Sequence, residues 1–382
     1  MTRRAAIAGV AESDLGVTGA SILQLQSQAI LRALDDAGLR LDDVDGLATT
    51  GIDRFPAVQV AEYLGLRPNW TDTTFGGGSS FEIMVGHAMA AISHGDAETI
   101  VVSYGSNQRS AKSRRLGGVM NPNQPESQFD APFGVLNPVS FYAMAAQRHM
   151  YDFGTTEEQL AEIAVAARAW ARLNPKAYRY TAGPLTHEEV LASDPVSTPL
   201  KVLDCCLVTD GGGAVVLTTL ERARDLRTQP IVPLGYGEAS THHSMSQVPD
   251  LTRSGAYESA HRAFERSGLS VSDIDVFEVY DSFTITALLT IEALGLCKPG
   301  EGGGFVADGR LRPGGGLPFN TSGGGLSYCH PGMFGLLLII EAVRQLRGDA
   351  GERQVDGAQT AVCHGTGGIL SNHATLVLGV DR

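Results

Sequence analysis

The chain predicts an α/β fold built twice over. Three observations carry this: one helix–turn–strand pattern recurs at an offset of 230 residues, a Gly-rich turn leads into a helix in each copy, and the composition suits a packed core. Residues 32–45 contain Arg32-Ala33-Leu34, Gly38-Leu39 and Asp43-Val44-Asp45; residues 262–275 contain Arg262-Ala263-Phe264, Gly268-Leu269 and Asp273-Ile274-Asp275. In each copy an amphipathic helix closes on a glycine, and a short turn delivers an apolar strand, Gly46 to Thr49 or Val276 to Tyr280. A second echo follows. Gly76-Gly77-Gly78 opens a helix ending at Gly95-Asp96-Ala97, before the strand Thr99 to Tyr104. Gly323-Gly324-Gly325 precedes a helix ending at Gly348-Asp349-Ala350, before Thr360 to Cys363. Two such copies imply two α/β halves related by duplication. The expected division is 1–235 and 236–382.

Between the halves, roughly 110–200, the pattern changes. Asn121-Pro122-Asn123-Gln124-Pro125, Pro132 and Pro138 mark irregular chain, followed by helical stretches at 139–152 and 156–173. This reads as an insertion covering the active-site side of the first half. Residues 204–214 read as the return to a core strand, and 230–257 as the link between the halves.

At 382 residues, 43% hydrophobic and 19% charged, the chain is long enough for one large or two medium domains and argues against disorder. The most apolar local run, Leu336 to Ile340, is far shorter than the roughly 18 residues a membrane helix needs. The N-terminus reads as a first strand rather than a signal peptide. A soluble, cytoplasmic protein is expected. The net charge of −13 argues against nucleic acid or an anionic membrane surface as a partner. Arg109, Lys112, Arg114 and Arg115 nevertheless form a local basic patch, read either as a solvated loop or as a surface facing a nucleotide phosphate or partner subunit. The five cysteines (205, 206, 297, 329 and 363) form no CxxC pair and read as reduced thiols.

The chemistry gathers at two loops and two strand ends. Asn320 to Gly332 delivers His330 toward an apolar helix, where it reads as an oxyanion donor or a helix cap. Glycine loops entering helices also present unpaired N–H groups to a carbonyl. Tyr280 ends a strand and Tyr328 stands two residues before His330. A phenol titrates near 10, so a tyrosine acting as a base needs a neighbour, which His330 supplies. Asp281 reads equally as a helix cap or as an orienter of its neighbours. Cys329 and Cys363 are the two thiols to weigh for chemistry against a role as buried filler. The upstream loop, Thr73 to Ser80, holds no cysteine; Ser79 and Ser80 read as caps of the following helix. No histidine shows ligand spacing with a carboxylate, and the glycine loops match neither a P-loop nor a dinucleotide fingerprint. Neither a metal nor a nicotinamide cofactor is expected.

Together, the duplication, the run Leu203 to Gly211, the His330 loop, Glu341 to Gly348, and Cys363-His364-Gly365-Thr366-Gly367-Gly368 resemble the thiolase superfamily over nearly the whole length. More narrowly, the chain resembles its lipid-transfer-protein-like branch, whose members act as acyl-CoA thiolases or as steroid side-chain aldolases paired with an OB-fold DUF35 protein. The resemblance implies a thiolase-like duplicated α/β/α/β/α sandwich with an inserted loop domain, a homodimer core, a DUF35 partner giving a heterotetramer, and a coenzyme A thioester as substrate. It places Phe75 or a neighbouring glycine where thiolases carry their nucleophilic cysteine. It makes Tyr280, Tyr328, His330 and Cys363 the catalytic candidates, with Cys363 at the second thiolase cysteine, where it implies an acid–base group. Gly76, Gly77, Gly324, Gly365, Gly367 and Arg109 are the substrate-binding candidates. The implied reaction is cleavage of a β-hydroxyacyl-CoA to a ketone and a shorter acyl-CoA. One tyrosine takes the hydroxyl proton, and His330 and loop amides hold the enolate. The alternatives are thiolytic acyl transfer through Cys329 or Cys363, and a non-catalytic acyl-CoA or lipid-binding subunit. The missing cysteine disfavours the first, and the two tyrosines disfavour the second.

Overall fold

The computed structural model describes residues 3–51, 54–113, 122–135 and 138–381. Arg114 and Arg115 of the basic patch lie outside the described residues. The first half runs β1 (Ala5–Glu12), α1 (Ile22–Ala37), β2 (Gly46–Thr49), α2 (Pro56–Leu64), β3 (Trp70–Asp72), α3 (Ser80–His94) and β4 (Thr99–Ser106). Then come α4 (Pro125–Phe129), α5 (Val139–Phe153), α6 (Glu157–Ala171), α7 (His187–Leu191) and a hairpin of β5 (Pro195–Ser197) and β6 (Leu200–Lys201). The chain returns through β7 (Gly211–Thr219) and α8 (Leu220–Arg224). The second half runs β8 (Ile231–Ser240), α9 (Ala256–Ser267), β9 (Val276–Val279), α10 (Thr284–Ala293), α11 (Gly302–Val306), α12 (Gly335–Arg347), β10 (Thr360–Gly367) and β11 (Asn372–Val380). The division expected at 235/236 falls within β8.

The repeat seen in the sequence is a repeat of local physics. Helices α1 and α9 end on Gly38 and Gly268, both in the left-handed region that glycine adopts without a Cβ penalty. Asp45 then accepts from the backbone N–H groups of Glu98 and Thr99. Its counterpart Asp275 accepts from those of Gln359 and Thr360. Each aspartate thereby ties its strand, β2 or β9, to a parallel neighbour, β4 or β10.

The main sheet is ordered β3-β2-β4-β7-β1-β8-β11-β10-β9. The first five strands repeat, end for end, in the last four, with no counterpart to β3. The halves meet at β1 and β8 through one paired position, Ile7 against Ile231. Helix α12 packs on β1 and β7 of one half and on β9 and β10 of the other, and α3 likewise touches strands of both. Helices α1 and α9 cover the outer faces. The result is the expected five-layer α/β/α/β/α sandwich, with α3 and α12 in the middle.

Two expectations need correction. The insertion does not cover the first half: α5 packs on α10, and α6 on α10, α11 and the turn at 324–328, all elements of the second half. Residues 204–210 are not strand, which begins at Gly211. Their backbone crosses to the second half instead: Cys206 N–H donates to Ser282 O and Leu207 N–H to Gly325 O, both at 2.9 Å. Among the described residues no helix is long and apolar enough to cross a membrane, and no three His, Cys, Asp or Glu side chains cluster as a metal site would require.

Candidate active site

Tyr280 follows the last residue of β9, and its N–H still pairs with His364 O at 2.9 Å, so its ring leaves a fixed backbone. Its hydroxyl lies 2.9 Å from His330 Nε2. The two rings stand edge to face at 87° with centroids 5.6 Å apart, and Phe334 stacks on the far imidazole partner at 26°. Both residues are buried. Gly78 makes the approach possible, because a side chain there would run into the Tyr280 ring.

The His330 loop is held at many points. Gly323 and Gly324 take positive φ of 101° and 60°, which starts a tight turn over Gly324–Tyr328. Asp281 accepts from Gly325 N–H at 2.6 Å and Leu326 N–H at 3.3 Å, and its carboxyl fills the space a Gly324 side chain would need. Burial pushes this carboxyl up to about 7, against the pull of the two amides. Asp281 is therefore an orienter of the loop and not a helix cap. His330 N–H donates to Thr209 Oγ1 at 3.0 Å, and His330 O accepts from Thr209 N–H at 3.2 Å and Gln108 Nε2 at 2.9 Å. The Tyr104 hydroxyl donates to Pro331 O at 2.8 Å. Sequence reasoning missed Gln108 and Tyr104; Thr209 sat inside a run it had read as strand.

Tyr328 packs on the same Phe334 ring as Tyr280 and His330. Its ring reaches Phe334 at 6.3 Å, but the groups acting on its hydroxyl are Glu12, Cys329 and Arg344. Burial first, and then the Glu12 carboxylate, push the phenol well above its ordinary value of 10.0. The printed side-chain contact in the site joins a phenol and an imidazole, Tyr280 and His330.

Cys363 sits in β10 opposite Glu278 of β9, fully buried, with its thiol 3.7 Å from Leu338 O. Burial and then the Glu82 and Glu278 carboxyls push it well above 9.0, so it is a protonated thiol. Glu278 itself is driven up by burial and by Glu341. Thr321 Oγ1 lies 2.7 Å from Glu278 and 2.8 Å from Glu341 and accepts from Gln345 Nε2. A hydroxyl has one hydrogen, so this set closes when Glu278 carries the proton and Glu341 stays ionised against Arg353.

The glycine candidates each have a packing reason. Gly77 lies against Gly367 and Gly368, so the two glycine loops meet face to face, and Gly76 O occupies the space beside Gly367. A side chain at Gly365 would displace the Glu82 carboxyl. Ser79 and Ser80 do not cap α3; their hydroxyls donate to Gly76 O at 2.8 Å and Gly77 O at 2.6 Å, bracing the loop. Phe75 is 71% exposed at the loop tip, so a ring, not a thiol, occupies the head of this loop. Arg109 follows Gln108, whose amide donates to His330 O. Asp210 accepts from the Arg109 N–H at 3.0 Å, and the Arg109 side chain lines a cleft of about 570 Å³ with Gln108, Val139, Cys205, Val208 and Phe283.

Residues 237–380 match the family model described as "Thiolase C-terminal domain-like". The chain is 37% identical to a steroid side-chain-cleaving aldolase of Thermomonospora curvata, over 99% of this chain and 98% of the relative. It is 35% identical to a 17-hydroxy-3-oxo-4-pregnene-20-carboxyl-CoA lyase of Mycobacterium tuberculosis (96% and 97% covered) and 32% identical to an acetyl-CoA acetyltransferase of Methanothermobacter thermautotrophicus (97% and 99%). Among solved structures it resembles an Ltp2-ChsH2(DUF35) aldolase with a TM-score of 0.90, at 34% identity over 100% of this chain and 99% of that one. The chain belongs to the thiolase superfamily, in the lipid-transfer-protein-like branch that contains the steroid side-chain-cleaving aldolases.

Proposed function

We propose that the chain is a carbon–carbon lyase that cleaves a β-hydroxyacyl-CoA with a bulky, steroid-like acyl group to a ketone and a shorter acyl-CoA, working as a homodimer with an OB-fold DUF35 partner. The hydrogen bond between Tyr280 and His330, in a site whose first glycine loop carries no cysteine, is the observation that carries it. The relatives named as aldolase and lyase support the reaction class. The aldolase structure named with a DUF35 protein supports the partner.

In this reading the Tyr280 hydroxyl donates to His330 Nε2 and its oxygen faces the substrate hydroxyl. As that hydroxyl loses its proton to Tyr280, Tyr280 passes its own to His330. The Cα–Cβ bond then breaks, its electron pair moving onto the thioester as an enolate and leaving a ketone at Cβ. The imidazolium returns the proton through Tyr280 to Cα. Atoms balance with no added base, cofactor or free CoA. The glycine loops at 76–78 and 365–368 are the amides that would receive the enolate oxygen, worth about 3–4 kcal/mol per well-placed donor. Tyr328 has no part in this relay.

The second reading, thiolysis, draws on the acetyltransferase relative. It needs a thiolate, and burial holds Cys329 and Cys363 both well above 9.0. The test is to incubate the chain, co-purified with a DUF35 partner, with a branched β-hydroxyacyl-CoA in the absence of free CoA. Ketone and shortened acyl-CoA by mass spectrometry are the expected result. Turnover only with a β-ketoacyl-CoA and free CoA would make the chain a thiolase, and binding without turnover would make it a carrier.

A further inference from the structure

Gly78, Glu82 and Gly86, spaced four residues apart, line one face of α3 and the turn that opens it. A tyrosine faces each glycine. A Cβ on Gly78 would stand 2.6 Å from Cζ of Tyr280, and one on Gly86 would stand 2.6 Å from Cζ of Tyr236. Both rings thus bring their hydroxyl-bearing carbons onto the face that carries Glu82, one helical turn to either side of it. The Glu82 carboxyl is buried between Gly335 of α12 and Gly365 of β10. Neither of its oxygens has a hydrogen-bond partner among the described residues. Burial pushes it up to about 8, so at neutral pH it carries a hydrogen. Beyond Gly86 the line reaches the surface: the Tyr236 hydroxyl donates to Glu238 Oε2 at 2.6 Å, and Glu238 is exposed. A buried acid that bonds to nothing costs stability, which an apolar side chain at this position would not. Freedom from fixed bonds is what a proton carrier needs, because a carboxyl tied to one partner cannot turn to another.

We propose that Glu82 and Tyr236 form a proton path along α3 that links the Tyr280–His330 pair to bulk water. This rests on the lyase reading for the acyl-CoA it serves. When the pair has taken a hydrogen from Cα of a bound acyl-CoA, an enolate and an imidazolium share a buried site. The path discharges the imidazolium by handing on one proton at each step. His330 gives its proton to Tyr280 as Tyr280 gives its own to one oxygen of Glu82. The other Glu82 oxygen releases its hydrogen to Tyr236, and Tyr236 passes its own to Glu238 and water. Each O–H that breaks on a relay group is matched by one that forms, so every buried relay group ends neutral. Run backwards, the same steps deliver a proton from water to Cα. Cleavage itself recycles its proton within the pair, so the path governs exchange with solvent and not the balance of the lyase reaction. Glu82 and Tyr236 touch no reacting atom; they act through Tyr280.

The test compares two rates, on the chain with its partner, for the wild type, Tyr236→Phe and Glu82→Gln. One is the loss of α-hydrogen from acetyl-CoA in heavy water, read by mass spectrometry; acetyl-CoA is the smallest acyl-CoA that has α-hydrogens. The other is ketone formation from a branched β-hydroxyacyl-CoA. The ratio of exchange to ketone formation is expected to fall about tenfold or more in both variants. A merely structural role would lower the two rates together, so a ratio that holds in both variants overturns the path. A ratio lowered in Glu82→Gln alone overturns the exit through Tyr236. A wild type that forms ketone without exchanging α-hydrogen also overturns the path, since its site is then closed to solvent protons. If the wild type exchanges α-hydrogen but forms no ketone, the lyase reading fails while the exchange rates of the three proteins still decide the path. Absence of both reactions overturns both.

Discussion

The Tyr280 hydroxyl and His330 Nε2 are 2.9 Å apart, although 50 residues separate them in the chain. One arrives at the end of β9 and the other on a glycine-opened turn, and Phe334 closes the imidazole face. This contact is the reason the proposed relay runs through Tyr280. Tyr280→Phe removes the hydroxyl and leaves the ring packed, so ketone formation from a β-hydroxyacyl-CoA is expected to fall about 100-fold or more while acyl-CoA binding persists. Tyr328→Phe is expected to lose less than tenfold. Equal losses in the two variants would return Tyr328 to the site.

Asp281 holds the loop that carries His330 through the Gly325 and Leu326 N–H groups. In Asp281→Asn one oxygen remains for Gly325 N–H, but an NH₂ group faces the Leu326 N–H, so one buried amide loses its acceptor. A cost of about 1–3 kcal/mol is expected in chemical denaturation. A drop in kcat larger than the change in KM is expected to accompany it, because the loop that carries His330 is loosened. A stability loss with kcat intact would confine Asp281 to folding.

The duplicated frame was legible because its signals are local. Gly38 and Gly268 end helices, and Asp45 and Asp275 tie strands, wherever those residues occur in that pattern. His330 was legible for the same reason, since glycines at 323 and 324 announce a turn. The charges around Tyr328 were not, because Glu12 and Arg344 are brought to it from remote parts of the chain. Glu82 also escaped notice. A single acid among Phe81, Ile83 and Met84 looks like the wet side of a helix, yet α3 is covered by strands of both halves and has no wet side there.

The Glu341–Arg353 pair anchors the network that reaches Glu278 beside Cys363. Its distances are 2.7 and 2.9 Å, and both side chains are nearly fully buried. Arg353→Met leaves Glu341 hydrogen-bonded to the neutral Thr321 and Gln345 and without its paired guanidinium. Breaking one side of a buried pair is expected to cost about 3–5 kcal/mol in denaturant unfolding. The double variant Arg353→Met/Glu341→Leu should recover much of that loss. A single variant within 1 kcal/mol, roughly the range of surface pairs, would show that water already reaches this network.

Glu82 carries the clearest pH dependence. Its two oxygens are buried without hydrogen-bond partners, and desolvation raises the carboxyl from 4.5 to about 8. Between these values the folded chain holds a proton that the unfolded chain has released, so stability must fall as pH rises, by up to about 1.4 kcal/mol per pH unit from this group. Asp281, raised by burial to about 7, acts in the same direction over its own window and is common to both proteins compared. Glu82→Gln keeps the shape and removes the titration. Below pH 4.5 the variant and wild type should be nearly equal in stability, and the variant should gain steadily up to pH 8. A difference that stays constant across that range would mean that the Glu82 carboxyl is already ionised and has found a counter-charge in the folded protein.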